Sequence, residues 1–136
     1  MKLIVCLDNA GCMLFNGRRQ SKDRALRDRV LQMTAKSKLW MNGYSAKQFD
    51  EPGAAIAVDE SFLDKACENE YCFVENTDVS AYAPQVCEVI VYRWNRDYPG
   101  DVRFPEDLFA SRWKLVSREE FPGFSHNSIT EEVYTL

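Results

Sequence analysis

Five short apolar runs, KLIVCL, SKLWM, AAIAV, YCFVE and EVIVYRW, recur along the chain with turn-forming or helix-compatible segments between them. Each is brief and rich in β-branched or aromatic residues, the composition of strands covered on both faces. Such strands need helices on both sides of their sheet, and parallel neighbours need a crossover connection. The pattern therefore predicts an α/β three-layer sandwich with a mostly parallel sheet. The last two strand-like segments, WKLVSREEF and EEVYTL, alternate in polarity and are joined by PGFSHNSI. The sheet is thus expected to close with an antiparallel C-terminal hairpin.

The segments between the runs carry their own signals. DNAGC, after the first run, has turn chemistry, with Asp8 and Asn9 building the turn. A helix is expected from Ser21 as N-cap, with Leu26, Val30 and Met33 on one face and Arg24, Arg27 and Asp28 pointing away. NGYSAKQF reads as a turn entering a second helix with Ser45 as cap, ended by EPGA. A third helix is expected from about 59 or 61 to 69, with Phe62, Leu63 and Ala66 inward. A short one over 79–83 stops before Pro84, and GDVRFP marks a later turn. No repeat or linker interrupts residues 1–136, and 136 residues at 46% hydrophobic suffice for a single domain with one real core.

Charge narrows the partners. The net charge of −4 argues against broad nucleic-acid binding, but residues 18–29 hold Arg18, Arg19, Lys22, Arg24, Arg27 and Arg29 against only Asp23 and Asp28. That is a local balance of +4, so the remainder sums to −8. Either the segment meets an anionic partner, or it is a solvated helix face with its own ion pairs. No run approaches the roughly 18 apolar residues that span a bilayer. Residues 1–6 are too short for the hydrophobic part of a signal peptide, so a soluble cytoplasmic protein is expected.

Five cysteines, Cys6, Cys12, Cys67, Cys72 and Cys87, are odd in number and include no Cys-x-x-Cys pair. They suggest neither a disulfide framework nor a zinc site, and most are expected as small buried hydrophobes, with Cys12 the exposed thiol in its loop. One histidine, His126, cannot build the multi-histidine centre of a ribonuclease Z; that assignment is rejected and no metal is expected. His126 itself reads as a loop residue. Trp94, with Arg93, Asn95 and Arg96, reads as sheet packing with a cation–π contact in preference to a partner-facing patch. SREE at 117–120 and TEE at 130–132 read as exposed hairpin positions.

Several of these segments resemble dihydrofolate reductase. VIVYRWNRDYPGDVRFPEDLFASRWKLVSREEF is similar to that family's final strands in ungapped order, with Gly100, Asp101, Phe104, Pro105 and Trp113 in its turn and hairpin. IVCLDNAGCMLFN is similar to the family's first strand and flexible loop, with Asn16 where such proteins often carry Asn. LWMNGYSAKQF resembles the Met-Gly-Arg-x-Thr segment whose helix N-terminus meets cofactor phosphate. The resemblance covers most of the chain. It implies a shortened member of that fold, with a strand and a connection missing between Phe49 and Ala54.

The resemblance also implies NADPH-dependent reduction, and the departures weigh against it. Where the family has a Gly-Gly pair that lets the backbone approach the cofactor, this chain has Glu75-Asn76. Arg18-Arg19-Gln20 replaces the Pro-Trp of the substrate loop. Asn42-Gly43-Tyr44-Ser45 keeps a hydroxyl cap but no phosphate-gripping arginine. The pterin-binding acid has two weak candidates, Asp23 and Asp28; either could donate a proton if buried, but the interleaved arginines favour the ionised form.

No cofactor is therefore expected, with NADPH disfavoured. A small anionic molecule, phosphorylated ones included, is expected between the helix N-terminus near Ser45 and the arginine segment. Its candidate residues are Asn16, Arg18, Arg19, Arg24, Asn42, Gly43, Ser45, Glu75 and Asn76. Three functions stand in order: a binding or regulatory module for that ligand, a divergent NADPH-dependent reductase, and an interaction protein using the arginine-rich helix.

Overall fold

A computed structural model describes residues 1–49 and 55–136. Strand β1 (Lys2–Leu7) is the centre of the molecule, because Leu3, Ile4, Val5 and Leu7 are all buried and a strand apolar on both faces has to lie inside a sheet. On one side it pairs in parallel with β6 (Tyr71–Phe73), which is followed by β4 (Leu39–Met41) and β5 (Ile56–Val58). On the other it pairs in parallel with β7 (Glu88–Arg93). Beyond β7, β10 (Ile129–Thr135) and β9 (Lys114–Phe121) run antiparallel. The seven-stranded order is β5-β4-β6-β1-β7-β10-β9, a mostly parallel sheet closed by an antiparallel hairpin, as the strand pattern predicts.

The pleat of β1 divides the core in two. Leu3, Val5 and Leu7 face one cluster, with Phe62 and Leu63 of α3 (Phe62–Lys65). Ile4 faces the other, with Leu26 and Val30 of α1 (Arg24–Met33). Helices thus cover both faces, the arrangement that β-branched strands without a polar side require. A second, three-stranded sheet joins β3 (Arg18–Arg19), β2 (Cys12–Phe15) and β8 (Val102–Arg103). Asn16 and Gly17, both at positive φ (51° and 71°), turn the chain from β2 into β3.

Local expectations change in several places. Helix α1 is capped by Asp23, whose Oδ1 accepts from the Ala25 and Leu26 amides at 2.8 and 3.2 Å, and not by Ser21 two residues earlier. Helix α2 (Gly43–Ala46) is capped by Asn42, which accepts from the Ser45 amide, so Ser45 lies inside the helix. Helix α3 ends at Lys65 because Ala66 is already extended. The short helix expected over 79–83 is a 3₁₀ helix (Ser80–Gln85) that runs on through Pro84. GDVRFP contributes β8 as well as a turn. EPGA and the interruption expected between Phe49 and Ala54 fall on residues 50–54, outside the described residues.

Cys12 is buried, and Cys67 is the exposed thiol. The cause is Gly100: a Cβ there would lie 2.6 Å from that of Cys12, so the missing side chain lets the two segments close. Glu132 is buried too, accepting from Arg93 Nε at 2.8 Å and Arg118 Nε at 3.0 Å. Trp94 stacks on His126 rather than on a cation, with ring centroids 4.6 Å apart.

Candidate functional site

In an open α/β sheet, ligands sit in the crevice beyond the carboxyl ends of the strands, where the strand order reverses. Here that point lies beside β1, between β6 and β7. Glu75, two residues past β6, fills it. Its carboxylate is buried and accepts from four donors: Arg19 Nε at 2.9 Å, Arg19 Nη2 at 3.1 Å, Ser45 Oγ at 2.8 Å and Gln48 Nε2 at 2.9 Å. The bidentate fork is the strongest geometry an arginine and a carboxylate adopt.

Tyr44 holds Arg19 in place. Its hydroxyl accepts from the Arg19 amide at 2.9 Å, its carbonyl accepts from Nη2 at 3.2 Å, and its ring lies 4.3 Å under the guanidinium. Burial alone would ease the proton off Arg19, but the hydrogen bonds and charge of Glu75 more than reverse this and raise its pKa. Arg19, Ser45 and Glu75 are therefore brought together, and each binds another member of the set. The start of α2 is also served from within the chain. The Gly43 amide donates to Glu60 Oε2 at 2.8 Å, and Asn42 Nδ2 donates to Asn76 Oδ1 at 2.8 Å.

The other expected residues lie elsewhere. Asn16 and Arg18 line a cavity of ≈ 470 Å³ with Phe15, Gln20, Tyr98 and Pro99, and the Arg19 side of the fork forms part of its wall. Arg18 is exposed and makes no side-chain ion pair among the described residues. Asn76 lines a separate cavity of ≈ 390 Å³ that Asp78 and Arg103 share. Arg24 is exposed with its guanidinium 5.9 Å from the Phe124 ring, away from both. Asp28 is exposed on α1. Arg29 is spent on Glu131 and Glu119 of the C-terminal hairpin.

Asp23 is the centre of a second buried cluster. Besides capping α1, its carboxylate accepts from the Phe124 amide at 3.0 Å, the Ser125 amide at 2.9 Å, Ser125 Oγ at 3.1 Å and His126 Nδ1 at 2.8 Å. Burial opposes its charge. The bonds from His126 and from the amides of Phe124, Ser125 and Leu26 outweigh that and hold the carboxyl far below the ordinary range. Asp23 is thus kept ionised, chiefly by His126 and backbone amides. His126 is a loop residue, as expected, but a buried one, and its Nε2 lies 2.9 Å from Ser21 Oγ and 3.1 Å from the Tyr98 hydroxyl. Nothing local in the sequence signals this pairing, since 103 residues separate Asp23 from His126.

Among the described residues no group of three or more His, Cys, Asp or Glu side chains could hold a metal ion, and no helix is long and apolar enough to cross a membrane. No family model matches the chain, and no curated protein is significantly similar to it in sequence. Among solved structures, its fold is similar to dihydrofolate reductase from Enterococcus faecalis complexed with NADP(H) and RAB-propyl. The TM-score is 0.68 at 13% identity, over 98% of this chain and 94% of that one, a likeness of fold.

Proposed function

We propose that this chain is a small-molecule binding protein on a dihydrofolate reductase fold, without hydride transfer, and that its ligand is anionic. The observation that carries the first part is Glu75 in the crevice with four donors on its carboxylate. NADPH does not fit these residues. Its pyrophosphate would meet a carboxylate, and the donors that could bind phosphate, Arg19, Ser45 and the Gly43 amide, already serve Glu75 and Glu60.

The second part rests on Arg18, an exposed cation without an ion-pair partner among the described residues, on the wall of a ≈ 470 Å³ cavity. Arginine's planar fork suits carboxylate and phosphate alike. Asn16, Gln20 and Tyr98 line the same cavity beside Arg18. A docking role for the arginine-rich helix has less support, since Arg29 is bound within the chain and Arg24 lies against Phe124. Five free thiols suit a reducing, cytoplasmic setting.

A thermal-shift panel of inorganic phosphate, sugar phosphates, dicarboxylates, nucleotides, folates and NADPH tests the reading. A ligand at a hundredfold excess over Kd adds about 2.7 kcal/mol to stability. The expected result is a shift with one of the anions that disappears in Arg18→Ala. A panel without any anion response, a response that survives Arg18→Ala, or a shift with NADPH contradicts the reading.

A further inference from the structure

The Asp23 cluster has a geometry that helix capping does not require. A cap needs Asp23 Oδ1 on the Ala25 and Leu26 amides. It does not need an imidazole on Oδ2, nor a serine hydroxyl on the far nitrogen of that imidazole. Both are present: Oδ2 to Nδ1 is 2.8 Å, and Nε2 to Ser21 Oγ is 2.9 Å. These are the distances that join acid, base and nucleophile in serine hydrolases of unrelated folds, where geometry and not sequence order defines the site.

The supporting contacts fix the chemistry of each group. An ionised Asp23 accepts from Nδ1, so Nδ1 carries the ring proton and the lone pair of Nε2 faces two hydroxyls, Ser21 Oγ at 2.9 Å and Tyr98 at 3.1 Å, of which Ser21 is the nearer. Trp94 lies against the imidazole face and holds its plane. Gly123 lets the 122–126 loop come close: a Cβ there would lie 2.7 Å from the His126 carbonyl and 2.8 Å from Asp23 Oδ2. Ser21 is half-buried, and the Tyr98 hydroxyl, 3.4 Å from its Oγ, belongs to the residue that also walls the Arg18 cavity.

We propose that Ser21, His126 and Asp23 form a nucleophilic relay that cleaves small esters, with preference for those bearing an anionic group within reach of Arg18. His126 Nε2 takes the Ser21 proton as Oγ attacks the acyl carbon. The carbonyl oxygen becomes an oxyanion, and the Tyr98 hydroxyl, 3.4 Å from Ser21 Oγ, supplies a hydrogen-bond donor beside it. Collapse breaks the bond to the alcohol oxygen, which leaves with the proton from His126. Water then attacks the acyl-serine, passing its proton to His126, and collapse releases the carboxylic acid and restores Ser21. Ser21 and His126 are the catalytic residues; Asp23 is a positioning residue acting through His126. Ester cleavage stands on the relay alone, whereas the preference for an anionic substrate rests on the binding reading above.

The test uses the full chain and a neutral alkyl fluorophosphonate, read by intact mass and peptide mapping. The expected result is one adduct, on Ser21, absent in Ser21→Ala and formed about a thousandfold more slowly in His126→Gln. With a nitrophenyl ester, Asp23→Asn should lower kcat and leave KM unchanged. An unmodified Ser21 in the folded wild-type chain, equal labelling of His126→Gln, or an unchanged kcat in Asp23→Asn overturns the relay. Nitrophenyl acetate is then compared with the mono-nitrophenyl ester of a dicarboxylic acid. Labelling of Ser21 without preference for the second ester upholds the relay and defeats the anionic specificity. A preference lost in Arg18→Ala supports both.

Discussion

Glu75 and Asp23 are both buried carboxylates with several donors, and the difference between them lies in what stands behind the donors. Glu75 faces an arginine, whose charge is permanent and whose fork occupies both carboxylate oxygens. Its remaining capacity goes to Ser45 and Gln48, and no proton can travel through the set. Asp23 faces an imidazole, which passes the influence of the carboxylate from one nitrogen to the other and so to Ser21. The same residue class therefore closes one region and equips the other. In the crevice beside β1 the Glu75 carboxylate is held by an internal ion pair with Arg19, which on the proposed reading leaves no place for a dinucleotide. Chemistry is available instead where α1 meets the loop before β10.

The comparison breaks most visibly at Arg19. Arg19→Ala strands the Glu75 carboxylate, and urea denaturation should register a loss of about 3 kcal/mol. Arg19→Met combined with Glu75→Leu should recover most of it, because an apolar pair avoids the desolvation of both charges. A loss as large in the double variant would mean that the ion pair is not what closes the crevice.

Asp23→Asn should cost about 2 kcal/mol near neutral pH, through donors left without a charged acceptor. The sharper signature is its pH dependence. The folded-state pKa of Asp23 lies below its ordinary 3.8, so its contribution is complete above that value and is lost as pH falls through the folded value. Stability of the wild-type chain should thus drop on acidification below about pH 4. The Asp23→Asn curve should be flatter over the same range, and parallel curves from acid titration followed by circular dichroism would remove Asp23 from the account.

Gly123→Ala gives the smallest effect. The added methyl collides with the His126 carbonyl and Asp23 Oδ2, so a loss of about 1–2 kcal/mol is expected, with a change in the tryptophan fluorescence that Trp94 contributes against His126. An unaltered melting curve would show the loop to be looser than the contacts imply.

The sheet was legible because β-branched runs report burial through local composition, and the β1 run KLIVCL reads as a buried strand. The small sheet was less so: Asn16-Gly17 is a hairpin signal, but β3 and β8 have two residues each, too few for any periodicity to register. Ser21 and Asp23 are both good caps, and the choice between them is made by reach to the Ala25 amide, which no sequence pattern displays. Arg19 and Glu75 were each legible as unusual residues in a cofactor region. Their mutual neutralisation was not, because 56 residues separate them and only the fold brings β3 against the end of β6. His126 was lost for the same reason, its partners lying at Ser21, Asp23, Trp94 and Tyr98.

The closure of the crevice by Glu75 is tested most directly by titrating NADPH into the unmodified chain and following quenching of tryptophan fluorescence. The account predicts no saturable quenching, and none of the energy transfer to nicotinamide that a bound cofactor produces. Saturable binding with the Arg19–Glu75 pair intact would contradict it.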